Sequence, residues 1–118
     1  MTVTFYQYPA CSTCKKAEKW LKDNDVSYES VHIVEDTPSK ETLRELVSKS
    51  DQPIKKFFNT SGKKYRELGL KDKVQSADED ELLEILASDG MLIKRPLATD
   101  GKNVTIGFKE DIYEEMWK

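Results

Sequence analysis

Cys11 and Cys14 stand three residues apart in the stretch YPACSTC, directly ahead of the basic run KKAEKWLKDN, and they are the only two cysteines in 118 residues. Two thiols at that spacing can hold a metal, close a disulfide, or fill space in a core. A structural zinc site asks for about four protein ligands, and beyond the pair the chain has a single histidine, His32, on a predicted strand. No metal site is expected. Burial as inert core residues suits Cys14 better than Cys11, because free thiols pack as small hydrophobes and Cys11 lies in a Pro-Ala-Cys-Ser loop that offers little cover. Redox chemistry suits both. If Cys11 opens a helix, unpaired backbone N–H groups and the positive end of the dipole favour an anion there, and the thiolate is the form that attacks sulfur. Cys14, one turn on, shares that face and can attack a sulfur attached to Cys11, the requirement for a resolving thiol.

The elements around the pair must deliver that geometry. TVTFYQY alternates β-branched and aromatic residues until Pro9, which predicts a strand ended by a turn. In the following helix Cys14, Ala17, Trp20 and Leu21 recur at three- and four-residue spacing, with Lys15, Lys16, Lys19 and Lys22 mostly on the solvated face. VSYESVHIV reads as a second strand, and DTPSKETLRELVSK as a helix capped by a serine. IKKFFN, YRELGL and SADEDELLEILA continue as short helices without a strand signal, the last with acidic residues in the first turn, where the dipole favours them. LATDGKNVTIGF then predicts two short strands about an Asp-Gly turn, and KEDIYEEMW a closing helix. The order is βαβ, helices, ββα. It predicts an α/β fold over residues 1–118, a single domain with a helical insertion at about 39–90.

Composition bounds the function. A chain of this length buries a core without cross-links, so the cysteines are not needed as staples. A net charge of −3 supplies no field for non-specific nucleic-acid binding, and no apolar run is long enough to span a bilayer. The expected setting is the cytoplasm, without membrane or direct nucleic-acid contact, as a monomer. In a reducing compartment a Cys pair is more often reactive than structural, and Cys-x-x-Cys beside a βαβ pattern is a redox signal.

Three segments together, YPACSTCKKAEKWL, YRELGL and LIKRPLA, resemble the arsenate reductase and Spx/MgsR family of thioredoxin-fold proteins, and the likeness covers nearly the whole chain. The resemblance implies a mixed sheet with flanking helices, Cys11 as the reactive cysteine, Arg95 reaching the same pocket, and Pro96 as a cis-proline facing the thiols. Ser12 and Pro96 fall on the substrate side. A permanently charged, forked guanidinium would hold a thiolate and grip an oxyanion or sulfonate. Arsenate reductases of this fold surround the anion with three arginines, and here two of those places hold Asn59 and Phe108. With Cys14 where those enzymes typically carry another residue, the pair is more similar to Spx and MgsR. The resemblance therefore implies a thiol-disulfide redox protein with no bound cofactor, reduced by thioredoxin, glutaredoxin/glutathione or another low-molecular-weight thiol. The alternative it implies is a redox-sensitive regulator that binds the RNA polymerase alpha subunit.

Overall fold

The first strand, β1 (Val3–Gln7), buries Val3 and Phe5 completely and leaves Thr4 and Tyr6 half-exposed, the period-2 alternation of a strand with one face on a core. The computed structural model describes residues 2–118. They divide into two units, one made of the chain up to His32 with Arg95–Lys118, the other Ile33–Lys94.

In the first unit α1 (Ser12–Asp23) follows β1, and β2 (Tyr28–His32) runs parallel to β1, with Val3 opposite Tyr28 and Gln7 opposite His32. β3 (Leu97–Thr99) lies antiparallel on the other side of β1, and β4 (Val104–Ile106) closes the order β2-β1-β3-β4. The β3–β4 turn is built as the Asp-Gly signal predicts: Asp100 Oδ1 accepts from the N–H groups of Lys102 and Asn103, and Gly101 takes φ +96°, open to glycine without steric cost. The last helix, α6 (Glu110–Trp117), is tied to β4 by Trp117 Nε1 donating to Thr105 Oγ1 at 3.3 Å. The core gathers Val3, Phe5, Ala17, Leu21, Tyr113 and Trp117 among others. The predicted α1 stripe of Cys14, Ala17, Trp20 and Leu21 is buried as a set. A mixed four-stranded sheet with flanking helices is the expected α/β class.

In the second unit α2 (Lys40–Ser50) starts at Ser39, whose hydroxyl accepts from Thr42 N–H at 3.2 Å, the serine cap foreseen. Three further helices, α3 (Lys63–Glu67), α4 (Leu70–Ser76) and α5 (Glu79–Ser88), follow a 3-10 turn at Ile54–Phe57. Asp78 caps α5 by accepting from Glu81 N–H. YRELGL is two helices rather than one, because Gly69 at φ +61° turns the chain between α3 and α4. IKKFFN also departs from a plain helix. Phe58 leaves the 3-10 turn extended and bridges Ile93 in antiparallel fashion, a pairing between distant segments that local periodicity does not encode.

Of the glycines in this unit, Gly90 has the closest backbone neighbours. A Cβ there would collide with the Ile33 carbonyl oxygen and come within 2.7 Å of its carbon and 2.9 Å of Val34 Cα. These are backbone atoms that cannot swing aside. Gly90→Ala should therefore lower the unfolding free energy by about 1–3 kcal/mol, read as an earlier urea midpoint with an unchanged slope; a midpoint equal to wild type would show that the chain yields there.

Candidate functional site

β1 ends at Gln7, and a turn through Pro9 and Ala10 carries the chain to Cys11, whose N–H donates to the Tyr8 carbonyl at 2.9 Å. Cys11 is the N-cap of α1, extended at φ −86° and ψ 114°, and its carbonyl accepts the first helical bond from Lys15 at 3.1 Å. Its Sγ accepts from the Cys14 N–H at 3.3 Å. A sulfur thus takes the place of the usual cap oxygen, satisfying one of the donors that a helix start leaves open. Cys11 is half-buried and Cys14 buried, and both are free thiols. Ser12, first residue of α1, is exposed beside them.

Burial pushes the Cys14 thiol up from its usual 9.0 to about 12, helped by its hydrogen bond with Cys11, while a backbone hydrogen bond from Tyr8 and the Arg95 charge act in the opposite direction. Cys14 is accordingly a protonated donor at neutral pH. A thiol whose folded pKa is raised stabilises the fold fully below its unfolded value, and that contribution is lost as pH rises toward the folded one. Unfolding free energy should therefore fall between about pH 9 and pH 12, with a slope of at most about 1.4 kcal/mol per pH unit from this group. Denaturant curves of wild type and Cys14→Ala across that range test it: the variant should show the shallower decline, and parallel declines would remove Cys14 as the cause.

Arg95 enters from the loop before β3. Its Cζ lies 5.1 Å from the centroid of the Tyr8 ring, a cation–π distance, and its Nε and Nη1 are buried without a hydrogen-bond partner among the described residues. Two donors of a permanent cation are thus held out of water with no protein acceptor, an arrangement that is expensive unless something else fills it. The Arg95–Pro96 peptide is cis. Pro96 is buried, and its carbonyl accepts from Gly107 N–H at 2.8 Å. The sequence-predicted residues Cys11, Ser12, Cys14, Arg95 and Pro96 all lie in the first unit, and the first three share one helix start. Arg95 and Cys14 are close enough to interact electrostatically.

Two side chains outside the sequence-based set shape this region. Tyr8 lies under Arg95, and its ring also meets His32 edge-to-face at 5.6 Å between ring centroids. The sequence spacing set His32 apart from the thiols, but the parallel register pairs it with Gln7, one residue before Tyr8. Alternation along β1 offered the one available hint, since it identifies Tyr8 as the residue between strand and turn. The lysines of α1 are exposed, and Lys19 pairs with Asp23 at 2.6 Å toward the far end of the helix. Phe108 packs edge-to-face on Tyr113 at 4.8 Å, and in the other unit the Asn59 amide donates to the Met91 carbonyl at 3.4 Å. Among the described residues, no cluster of three or more His, Cys, Asp or Glu could hold a metal ion, and no helix is long and apolar enough to cross a membrane.

The chain is similar to known proteins in sequence and fold. The ArsC family model matches residues 6–116. Protein YusI of Bacillus subtilis is 61% identical over 117 residues, covering 99% of each chain. The regulatory protein MgsR of Bacillus subtilis is 30% identical over 106 residues, covering 90% of this chain and 82% of MgsR. The solution structure of SACOL0876 from Staphylococcus aureus superposes with a TM-score of 0.90 at 52% identity, covering 98% of each chain. The sheet and its flanking helices are the thioredoxin-like fold. With a family match spanning almost the whole sequence and a relative aligned from end to end, the chain belongs to the ArsC family, together with MgsR.

Proposed function

We propose that the chain is a thiol-disulfide redox protein in which Cys11 is the attacking sulfur and Cys14 the resolving one. The observation that carries this reading is the Cys14 N–H donated to Cys11 Sγ at 3.3 Å, with the Cys14 thiol itself hydrogen-bonded to Cys11. The Cys11 thiolate attacks one sulfur of a substrate disulfide, forms a mixed disulfide, and expels the other sulfur as a thiolate. Cys14 then gives up its proton, attacks Cys11 Sγ, and releases the second substrate thiolate. Two electrons pass from the pair to the substrate, and Cys11–Cys14 becomes a disulfide. An external dithiol of the thioredoxin type, or a low-molecular-weight thiol, returns the pair to the reduced state by the reverse exchange. Arg95, with two buried donors open, binds an anionic group on the substrate or a small oxyanion, and Ser12 and Pro96 border the approach. A sulfenate would be resolved by the same pair, with water as the leaving group.

Mass spectrometry of the native protein after mild peroxide tests the reading. The peroxide oxidises Cys11 to the sulfenic acid, Cys14 displaces water, and the chain loses two hydrogens with neither thiol left to alkylate. Two alkylatable thiols in the treated native sample would refute the pairing.

A second reading is favoured by the likeness to MgsR, which is named as a regulatory protein. In it the same oxidation serves as a switch, and the partner is the RNA polymerase alpha subunit. Retention of the alpha subunit on immobilised protein in one redox state and not the other supports the switch. No retention in either state leaves the exchange chemistry alone.

A further inference from the structure

In the second unit, a cavity of about 330 Å³ is lined by Lys55, Lys56, Lys71 and Lys94 around Phe58 and Tyr65. The four lysines arrive from three separate places. Lys55 and Lys56 lie on the 3-10 turn, Lys71 on α4, and Lys94 just past Ile93. The wall between the first and the last is pinned, because Lys94 N–H donates to the Phe57 carbonyl at 2.7 Å and Asn59 N–H to the Leu92 carbonyl at 2.8 Å. On α4, Lys71, Val74 and Gln75 line the cavity together, the i, i+3, i+4 spacing that gives one helix face. Phe58 and Tyr65 are buried, their rings edge-to-face at 6.2 Å.

Charge is what sets this cavity apart. The chain holds 22 acidic residues against 19 Lys and Arg, yet no carboxylate is among the residues lining it. Elsewhere in the same unit Lys40, Lys63, Lys64 and Lys73 each reach a carboxylate. Among the described residues none of the four cavity lysines does. Four unpaired ammonium groups around one concavity repel each other and raise the local concentration of anions, and half-buried Val74 with the small exposed edge of the Tyr65 ring adds an apolar surface beside them. The volume falls at the lower end of the range of about 300–1,000 Å³ typical of small-molecule sites. Lys73 pairs with Glu81 at 3.1 Å, so the acidic start of α5 lies near α4, and Asp72 is exposed on α4 itself. An extended polyanion would run past those carboxylates; a small one would not.

We propose that this cavity binds a small organic anion, one that carries a phosphate or carboxylate group on an aromatic or comparably apolar body. Its lining residues all belong to the second unit, whereas Cys11 and Cys14 belong to the first.

The test uses the full chain, labelled with ¹⁵N, and 1-naphthyl phosphate as the probe, with inorganic phosphate and hexaglutamate as comparisons. Amide shifts at Phe58, Tyr65, Lys71 and Gln75 should saturate with a dissociation constant below about 1 mM. Inorganic phosphate and hexaglutamate should bind at least about tenfold more weakly, because neither presents an aromatic body. Lys71→Gln with Lys94→Gln, both exposed positions, should keep the native spectrum and weaken the probe at least about tenfold. Absence of saturable shifts, shifts centred elsewhere, unchanged affinity in the double variant, or hexaglutamate or inorganic phosphate binding as tightly as the probe would each overturn the proposal.

Discussion

Cys11→Ser should leave a folded protein whose exchange with a small disulfide is slower by about 10³-fold or more, the scale on which removing a catalytic nucleophile acts. The variant is chosen because serine keeps the cap. In the native protein Cys11 Sγ accepts the Cys14 N–H at 3.3 Å, and a serine oxygen is among the best acceptors at that position, whereas alanine there costs about 0.5–2 kcal/mol. Loss of reactivity in Cys11→Ser is therefore not loss of fold. A serine hydroxyl is a far weaker nucleophile than a thiolate at neutral pH, and the remaining thiol, Cys14, is buried and protonated, with its pKa pushed up to about 12. Cys14→Ser should behave differently. It retains the first attack and stops there, because the buried side chain can no longer displace the adduct. With 5,5′-dithiobis(2-nitrobenzoate), wild type should release both aryl thiolates per reagent, Cys14→Ser one with the other kept as a stable mixed disulfide, and Cys11→Ser almost none. A Cys11→Ser protein that reacts at the wild-type rate would move the chemistry to Cys14 and end the assignment of roles.

Arg95→Ala carries the second large effect. The same reagent is an aromatic dianion, and a hydrogen bond to a charged group contributes about 1.5–3 kcal/mol, so its rate constant should fall by about 10- to 100-fold. A neutral disulfide such as 2-hydroxyethyl disulfide should lose much less. The ratio of the two rates separates binding of the substrate anion from any general effect on the thiols. Lysine should restore only part of the loss, because it lacks the planar fork and stacks less well on the Tyr8 ring. Stability gives an independent check. Arg95 Nε and Nη1 are buried without partners among the described residues, so truncation removes two unsatisfied donors and should leave the unfolding free energy unchanged or slightly higher. Equal loss on charged and neutral disulfides would assign Arg95 to the thiols rather than to the substrate.

The local chemistry was legible in the chain itself. Pro9 stops a strand, Cys11 opens a helix, and Cys14, Ala17, Trp20 and Leu21 repeat at helical spacing, because capping and amphipathic burial are decided within a turn or two of the residues concerned. Ser39 ahead of α2, the acidic first turn of α5 and the Asp-Gly turn between β3 and β4 were readable for the same reason. Arg95 and Pro96 came by another route, from the family likeness of LIKRPLA, since nothing in that segment's own periodicity ties it to the thiols.

Tertiary structure alone decided which distant groups meet. Whether His32 lies near Tyr8 depends on the register of two parallel strands joined through α1, and a one-residue slip would turn its side chain to the other face. The ring under Arg95, its two buried donors, and the extended pairing of Phe58 with Ile93 likewise join segments far apart along the chain. So does the gathering of Lys55, Lys56, Lys71 and Lys94 around one cavity, each of which reads in sequence as an ordinary solvated lysine. Sequence patterns report contacts between residues a few positions apart; pairing register and packing set the rest, because the energy that selects them belongs to surfaces formed only when the separated segments are brought together.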